Sequence, residues 1–158
     1  MQEIERKWEI RVLPKDLKSS PCIELTAGYF EGSDKKDVRI RREGNKYLKV
    51  IKSGQGIAKD IGQGDLEITK KEFDSLWPKT KDRRLRKLRC RIPYKGFVIE
   101  LDIYQDFKGF YTAEVEFKTI KDAKKFVPPG WFGRELTDKK EYSSNSLATN
   151  GFPRVSKS

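Results

Sequence analysis

The chain has 158 residues, which is enough for one domain with a sizeable hydrophobic core. Its 35 Lys and Arg residues outnumber its 24 Asp and Glu residues, so the net charge is +11, and an aromatic content of 11% argues against a disordered chain. The sequence contains no histidine, which excludes Ser-His-Asp and Cys-His catalysis and histidine-ligated zinc, and leaves carboxylates, Lys, Arg and Tyr for any chemistry.

The two cysteines and the hydropathy give expectations about the compartment. Cys22 and Cys90 have neither a CxxC spacing nor histidine companions, so the sequence predicts neither a disulfide framework nor a zinc site. No apolar run is long enough to cross a bilayer, and no signal-peptide pattern precedes Glu3. We therefore expect a cytoplasmic protein that has no membrane partner.

Alternation of charged and apolar residues predicts β-strands along the chain. In chain order they cover residues 3–8, 38–41, 47–51, 87–92, 97–104 and 112–117, and residues 43–46 form a turn. Helical segments are predicted from near Pro14, over 69–77 with a capping box at Thr69 and Glu72, over 119–126, and from 137 towards 148. The glycine-rich segment 53–64 is predicted to be a mobile loop. The pattern indicates one domain over 1–153 and a flexible tail over 154–158.

Charged residues stand at positions i and i+2 of these strands, and their signs are segregated by strand. The acidic pairs are Glu3/Glu5, Glu100/Asp102 and Glu114/Glu116, and the basic pairs are Arg39/Arg41 and Lys87/Arg89. One interpretation is an open antiparallel sheet whose charges face water. The segregation favours instead a closed barrel with the charges inside and helices over the apolar outer face. Because acidic pairs bind divalent cations and Lys and Arg bind phosphate oxygens, the interior would suit a metal-bound polyphosphate.

The first strand, Glu3-x-Glu5-x-Lys7, resembles the ExExK signature of the CYTH domains, the triphosphate tunnel metalloenzymes. Other segments similar to that family follow in the family's order and cover nearly the whole chain. They are Val38-Arg39-Ile40-Arg41, 48–54, Lys87-x-Arg89, 100–104, 113–117, 129–137 with the pattern P-x-W-x-G-x-E-[VL]-T, Tyr142, Leu147-Ala148 and Gly151-x-Pro153.

The resemblance implies an α+β fold, a closed eight-stranded antiparallel β-barrel that forms a triphosphate tunnel, with helices packed on the outside. It implies that carboxylates hold Mg²⁺ or Mn²⁺ and that basic side chains grip a triphosphate. Carried over by position, the metal ligands are Glu3, Glu5, Glu114 and Glu116, and Glu100 and Asp102 either orient basic side chains or share a second metal. The phosphate-binding residues are Lys7, Arg39, Arg41, Lys52, Lys87 and Arg89.

Catalytic roles are implied for Lys7 and Tyr29, which would position or activate the attacking water, although Tyr29 also suits a plain strand aromatic. Trp131 is expected in the core, and Glu135 is expected to be a local structural partner. We expect Arg134 and Lys140 on the solvated surface, rather than capping the tunnel.

The chain departs from the family in the middle of the sequence, before the helix at 69–77. Where the family shows R-x-E-x-E, this sequence has Ile61, Gln63 and Asp65. A shifted register would let Asp65 and Glu67 replace the glutamates, with Lys59 in place of the arginine. This stretch therefore leaves one wall of the implied tunnel undetermined.

Three functions fit the sequence. The first is a metal-dependent hydrolase of a small-molecule triphosphate, with inorganic tripolyphosphate as the leading substrate. The second is a class IV adenylyl cyclase or a thiamine or nucleoside triphosphatase of the same fold. The third is a non-catalytic binder of polyphosphate, nucleotide or RNA ends, although the acidic pairs and the lack of an aromatic RNA platform disfavour nucleic acid. The sequence is compatible with a monomer or a homodimer.

Overall fold

The computed structural model describes residues 1–32, 36–54 and 56–154. Its strands are β1 (Gln2–Ile10), β2 (Cys22–Tyr29), β3 (Asp37–Glu43), β4 (Lys46–Lys52), β5 (Ala58–Asp60), β6 (Leu66–Ile68), β7 (Arg84–Tyr94), β8 (Phe97–Tyr104) and β9 (Tyr111–Phe117). The α-helices are α1 (Lys70–Leu76), α2 (Ile120–Lys125) and α3 (Ser144–Asn150), and short 3-10 turns cover Leu17–Ser19, Trp77–Thr80 and Lys140–Tyr142.

All six strands that alternation predicts are present, and most of them are longer than predicted. The capping box of α1 is confirmed, because the Thr69 hydroxyl accepts from the Glu72 N–H at 3.1 Å and the Glu72 carboxylate accepts from the Thr69 N–H at 3.4 Å. Three strands were not predicted. Of these, β5 lies inside the glycine-rich segment that was predicted to be a loop.

The strands form one antiparallel sheet in the order β5-β1-β9-β8-β7-β2-β3-β4-β6. Regular pairing leaves the sheet open between β5 and β6, which are consecutive in the chain. Beyond β4, Ser53 and Asp60 exchange two backbone hydrogen bonds of 2.8 and 2.9 Å, which join the end of β4 to the end of β5. This bridge completes a ring of eight strands, and β6 lies beside β4 as a ninth.

Strand alternation sorts the two faces of the ring as the closed-barrel interpretation requires. On β1, Glu3, Glu5 and Lys7 point into the central cavity. Ile4, Trp8 and Ile10 are buried on the outer face in the main hydrophobic core, which also contains Ala123 of α2. The apolar face is therefore outside, under α2 and the aromatic residues near Phe132, which lies 4.9 Å from Trp8.

Helix α3 occupies a different place from α1 and α2. Phe73 of α1 packs on the outer-face Tyr47 at 5.0 Å between ring centroids. In contrast, Ala148 of α3 contacts the buried residues Leu25, Ala27 and Tyr29, which face the cavity. Helix α3 thus lies across part of the tunnel interior.

The prediction that the cysteines form no disulfide is wrong. Cys22 of β2 and Cys90 of β7 stand directly opposite each other in the paired strands and form a disulfide. No local pattern indicates this disulfide, because 68 positions separate the two residues. The pairing removes the cysteine-based reason for expecting a reducing cytoplasm, so the location stays a prediction.

In the described part of the chain, every helix is too short or too polar to traverse a lipid bilayer. Of the predicted flexible tail, residues 155–158 lie outside the described residues.

Candidate active site

The barrel encloses a tunnel of about 1530 Å³, larger than the roughly 300–1,000 Å³ of ordinary ligand pockets. Among the described residues, ten acidic and twelve basic residues line it. These lining residues are therefore nearly balanced in charge, although the whole chain has a net charge of +11.

One arc of the tunnel wall carries a carboxylate cluster, formed by Glu3, Glu5 and Glu116. Antiparallel pairing sets Glu5 of β1 opposite Glu116 of β9, and Glu3 is the next inward residue on β1. Among the described residues, only this trio brings three potential ligand atoms within 4.8 Å of one another. Burial and the charge of Glu114 raise the pKa of Glu5 to about 7. Burial and the adjacent Glu3 raise the pKa of Glu116 to about 7.

Two lysines approach the carboxylate cluster from the β4–β5 side. The Lys52 ammonium donates to the Glu3 carboxylate at 2.7 Å. Burial would raise the pKa of Glu3, but the charge and hydrogen bond of Lys52 outweigh it and the pKa is lowered. The Lys59 ammonium lies 3.5 Å from the Glu5 carboxylate, so the residue that takes the place of the family's arginine does reach the tunnel. The three carboxylates are thus only partly neutralised by the protein.

The chemistry of this cluster fits a hard divalent cation. Mg²⁺ and Mn²⁺ prefer oxygen ligands, and the cluster offers carboxylate oxygens from three residues. A bound cation would relieve the repulsion that keeps Glu5 and Glu116 partly protonated near neutral pH. Glu3, Glu5 and Glu116 are therefore the residues that would hold the ion.

The other three candidate ligands are engaged by basic side chains. Glu114 lies 3.8 Å from the Lys7 ammonium, and nearby Lys and Arg residues lower its pKa although burial alone would raise it. Asp102 is fully buried and accepts two hydrogen bonds from Arg89, at 2.8 and 2.9 Å. Glu100 lies 3.4 Å from Arg89. Of the two implied roles for Glu100 and Asp102, their contacts favour orientation of basic side chains.

Acidic and basic side chains of β8, β7 and β3, together with Asp65, form a continuous ion-pair chain along the tunnel wall. Each member contacts the next at 3.5 Å or less: Asp65–Arg41 2.7 Å, Arg41–Glu43 3.5 Å, Glu43–Arg91 2.6 Å, Arg91–Glu100 3.2 Å, Glu100–Arg89 3.4 Å, Arg89–Asp102 2.8 Å and Asp102–Lys87 2.8 Å. This arrangement holds the basic side chains in place while leaving them on the tunnel surface. Arg91 and Glu43 belong to the ion-pair chain and were not predicted as site residues, and Asp65 was predicted only as a replacement for a family glutamate in a shifted register.

The C-terminal segment engages the predicted catalytic residues. The Lys7 ammonium donates to the Tyr142 carbonyl at 2.7 Å, and burial lowers the pKa of Lys7. Ser144 is hydrogen bonded to the side chain of Tyr29 and lies 3.5 Å from the Lys87 ammonium. No sequence pattern indicates Ser144, because its role depends on α3 lying across the tunnel.

Tyr29 and Arg39 form one unit on β2 and β3. Tyr29 is fully buried, and burial raises the pKa of its hydroxyl. The Arg39 guanidinium lies 4.8 Å from the centre of the Tyr29 ring and donates to both oxygens of Asp37, at 2.7 and 3.1 Å. Tyr29 therefore lines the tunnel as a protonated hydroxyl and also supports an arginine.

Four residues outside the cluster also have defined places. Glu135 accepts two hydrogen bonds from Arg6, at 2.8 and 3.0 Å, which is the local structural role predicted for it. Trp131 packs edge-on against Phe132 in the outer core. Arg134 is half exposed and contacts Tyr142 and Glu9, and Lys140 is an exposed residue at the rim of the tunnel.

No protein-family model matches the chain. The chain is 34% identical over 153 residues to the inorganic triphosphatase of Nitrosomonas europaea, with 94% of this chain and 97% of that protein aligned. The crystal structure of the inorganic triphosphatase NE1496 superposes with a TM-score of 0.68 at 32% identity, covering 93% of this chain and 94% of that one. The structure of PH1012 from Pyrococcus horikoshii superposes with a TM-score of 0.59 at 20% identity over 78% of this chain and 84% of that one, a likeness of fold alone.

Proposed function

This chain belongs to the CYTH family of triphosphate tunnel metalloenzymes, and from that premise we propose that it hydrolyses inorganic tripolyphosphate with the help of Mg²⁺ or Mn²⁺. The observation that carries the proposal is the tunnel itself, in which a partly neutralised carboxylate cluster and fixed basic side chains line one cavity. Phosphoryl transfer needs charge neutralisation and in-line positioning more than covalent chemistry from the protein. Both requirements are met by side chains that the barrel already holds.

The basic residues would bind the substrate oxygens. Arg39, Lys87 and Arg89 are buried or nearly so and are fixed by acidic partners, so they offer donors without much further loss of side-chain freedom. Lys52 lines the same tunnel and contacts Glu3 of the carboxylate cluster. A divalent cation held by the cluster would supply positive charge to the phosphate oxygens.

Lys7 and Tyr29 would position the attacking water. The Tyr142 carbonyl and Glu114 hold the Lys7 ammonium on the tunnel wall, on the same strand as Glu3 and Glu5. Because burial raises the pKa of Tyr29, its hydroxyl stays protonated at neutral pH and acts as a hydrogen-bond donor, not as a base. We assign both residues to orientation of the water and the terminal phosphate.

The test is phosphate release from the purified protein, with tripolyphosphate, ATP and thiamine triphosphate compared in Mg²⁺, Mn²⁺ or EDTA. Fast release from tripolyphosphate that EDTA abolishes is the expected result. Faster release from ATP or thiamine triphosphate would reassign the substrate, and pyrophosphate formed from ATP would indicate a cyclase. Tight tripolyphosphate binding with no release would replace the hydrolase by a non-catalytic binder.

A cytoplasmic location is part of the same proposal. Cell fractionation with thiol trapping tests it, because structural disulfides are rare in the cytosol. Recovery in the cytosolic fraction is expected, and thiol trapping then reports whether the Cys22–Cys90 disulfide persists there. Recovery outside the cytosol with the pair bonded would contradict the location.

A further inference from the structure

Arg41 is an inward-facing arginine of β3. In the ion-pair chain it follows Asp65, at the opposite end from Lys87, which contacts Ser144 of α3. One of its terminal nitrogens lies 2.7 Å from the Asp65 carboxylate and 3.5 Å from the Glu43 carboxylate. The Arg41 side chain is 13% exposed, whereas that of Asp65 is 49% exposed. Asp65 therefore reaches inward from the tunnel rim to a guanidinium that is largely buried in the wall.

Both carboxylates contact the same terminal nitrogen of Arg41, Nη2. In the described ranges, the Arg41 Nε is the one buried side-chain nitrogen or oxygen that has no hydrogen-bond partner, and its burial closes it off from the tunnel. Since Arg41 lines the tunnel, its other terminal nitrogen, Nη1, is the one suited to an acceptor that arrives with a ligand.

The turns between β5 and β6 bring Asp65 to this place. Gly62 donates its N–H to the Asp60 carboxylate at 2.8 Å, and Gly64 donates its N–H to the Ile61 carbonyl at 2.8 Å. Gly64 has a φ of +82°, a left-handed conformation that favours glycine and turns the chain immediately before Asp65. The departure of this chain from the family pattern therefore produces an ordered contact with the anion-binding wall.

We propose that Asp65 is a positioning residue, which fixes the Arg41 guanidinium at the tunnel wall so that its Nη1 is presented to a terminal oxygen of the polyphosphate. The proposal rests on the proposed function for the identity of the ligand. A free arginine side chain has several rotatable bonds whose freedom is lost on binding, and Asp65 and Glu43 impose that loss before the substrate arrives. Asp65 itself does not touch the substrate.

The same contact would have the opposite consequence if Asp65 occupied the place of the phosphate. In that case the carboxylate would compete with the substrate for Arg41, and its removal would tighten binding. The contacts argue for positioning, because Asp65 and Glu43 share the Nη2 nitrogen and the guanidinium keeps Nη1 for the substrate while Asp65 remains bound.

The experiment compares Asp65→Asn with Asp65→Glu and with the matched control Glu67→Gln, which removes a charge from an exposed residue of β6 that does not line the tunnel. Calorimetric binding of tripolyphosphate in EDTA is measured first, and KM and kcat for tripolyphosphate with Mg²⁺ are measured next. We expect Asp65→Asn to raise the Kd and the KM about fivefold and to leave kcat within about twofold, since the loss of one charged hydrogen bond is indirect. Asp65→Glu should restore most of the affinity, and Glu67→Gln should change neither constant.

Each other result decides against positioning. Tighter binding by Asp65→Asn would show competition, and an unchanged Kd or an equal effect of Glu67→Gln would show that Asp65 does not act on Arg41. If the wild-type protein binds tripolyphosphate without hydrolysing it, the proposed function fails while the binding comparison still decides the role of Asp65.

Discussion

The carboxylate cluster and the ion-pair chain lie on different arcs of one ring, yet they handle buried charge in different ways. In the cluster, Glu5 and Glu116 have like-charged neighbours, and their pKa values are raised to about 7. In the ion-pair chain, every acid has a basic partner, and the pKa of Asp102 is lowered although burial alone would raise it. The carboxylate cluster therefore lacks positive charge, whereas the acids of the ion-pair chain are neutralised by their basic partners.

This difference assigns the two arcs to different tasks. A cluster of carboxylates that repel one another gains free energy when a cation enters, so it suits a metal that must be acquired. A chain of alternating charges is stable without a ligand, so it suits side chains that must keep their geometry while the substrate comes and goes. Variants that remove one charge from each arc should therefore differ in whether they impair metal binding or stability.

The largest effect is expected from Glu116→Gln in the carboxylate cluster. Loss of one ligand should lower metal-dependent phosphate release at least a thousandfold, or about 4 kcal/mol, because the reaction needs the cation. The free energy of unfolding without metal should stay the same or rise, since the change removes one of three adjacent carboxylates. Phosphate release, Mn²⁺ calorimetry and urea unfolding measure the three quantities.

Glu24→Gln, at an exposed position of β2, is the control for Glu116→Gln and should match the wild type. Retained turnover and Mn²⁺ affinity in Glu116→Gln would remove Glu116 from the ligand set. A large drop in stability would show that the residue is part of the scaffold and not a ligand.

The next largest effect is expected from Asp102→Asn in the ion-pair chain. Asp102 is fully buried and contacts both Arg89 and Lys87, so neutralising it leaves two buried cations without their partner. We expect a loss of about 3 kcal/mol in the free energy of unfolding, the range found when one member of a buried ion pair is removed. Mn²⁺ affinity should be unchanged, and a loss of metal comparable to that of Glu116→Gln would restore Asp102 to the ligand set.

Much of the fold was predictable, because a closed barrel imposes a strict alternation on its strands. Glu3, Glu5 and Lys7 alternate with Ile4 and Trp8, and the structure places the first set in the tunnel and the second set in the outer core. This pattern is local and needs no knowledge of which strands pair. The short β5 escaped prediction because its three residues are too few to show a period.

What the sequence did not reveal depends on contacts between distant residues. Cys22 and Cys90 become neighbours only through the pairing of β2 with β7, and Ser144 meets Tyr29 only because α3 lies across the tunnel. Asp102 and Glu116 are both carboxylates, and the sequence alone does not distinguish their roles. Strand pairing places Arg89 of β7 opposite Asp102, and the contact between them makes Asp102 part of an ion pair.

A smaller effect is expected from Arg39→Ala, which probes the substrate and not the metal. Removal of this guanidinium should weaken tripolyphosphate binding about thirtyfold, or about 2 kcal/mol, because a buried charged donor is lost. The tripolyphosphate affinity of Arg39→Lys should fall between those of the wild type and Arg39→Ala, since lysine keeps the charge but loses the paired donation to Asp37. Lys46→Ala, at the exposed first residue of β4, is the control, and an equal effect there would mean that Arg39 does not bind the substrate.

The smallest effect is expected from Glu135→Gln. This change removes one charge of the Arg6–Glu135 pair, which lies outside the tunnel and is therefore a reference for the variants of both arcs. Hydrogen bonds from Arg6 lower the pKa of Glu135, so its carboxylate stabilises the fold above the ordinary carboxyl pKa and loses that contribution as the pH falls through the lowered value. Because Glu135 is 39% exposed, the variant should lose only about 0.5–1 kcal/mol at pH 7 and keep its phosphate release. Thermal unfolding should show the difference from the wild type shrinking in acid. If Glu135→Gln instead lowers turnover, the Thr137 hydroxyl, which bonds both Glu135 and the Lys7 backbone, links the outer pair to the tunnel.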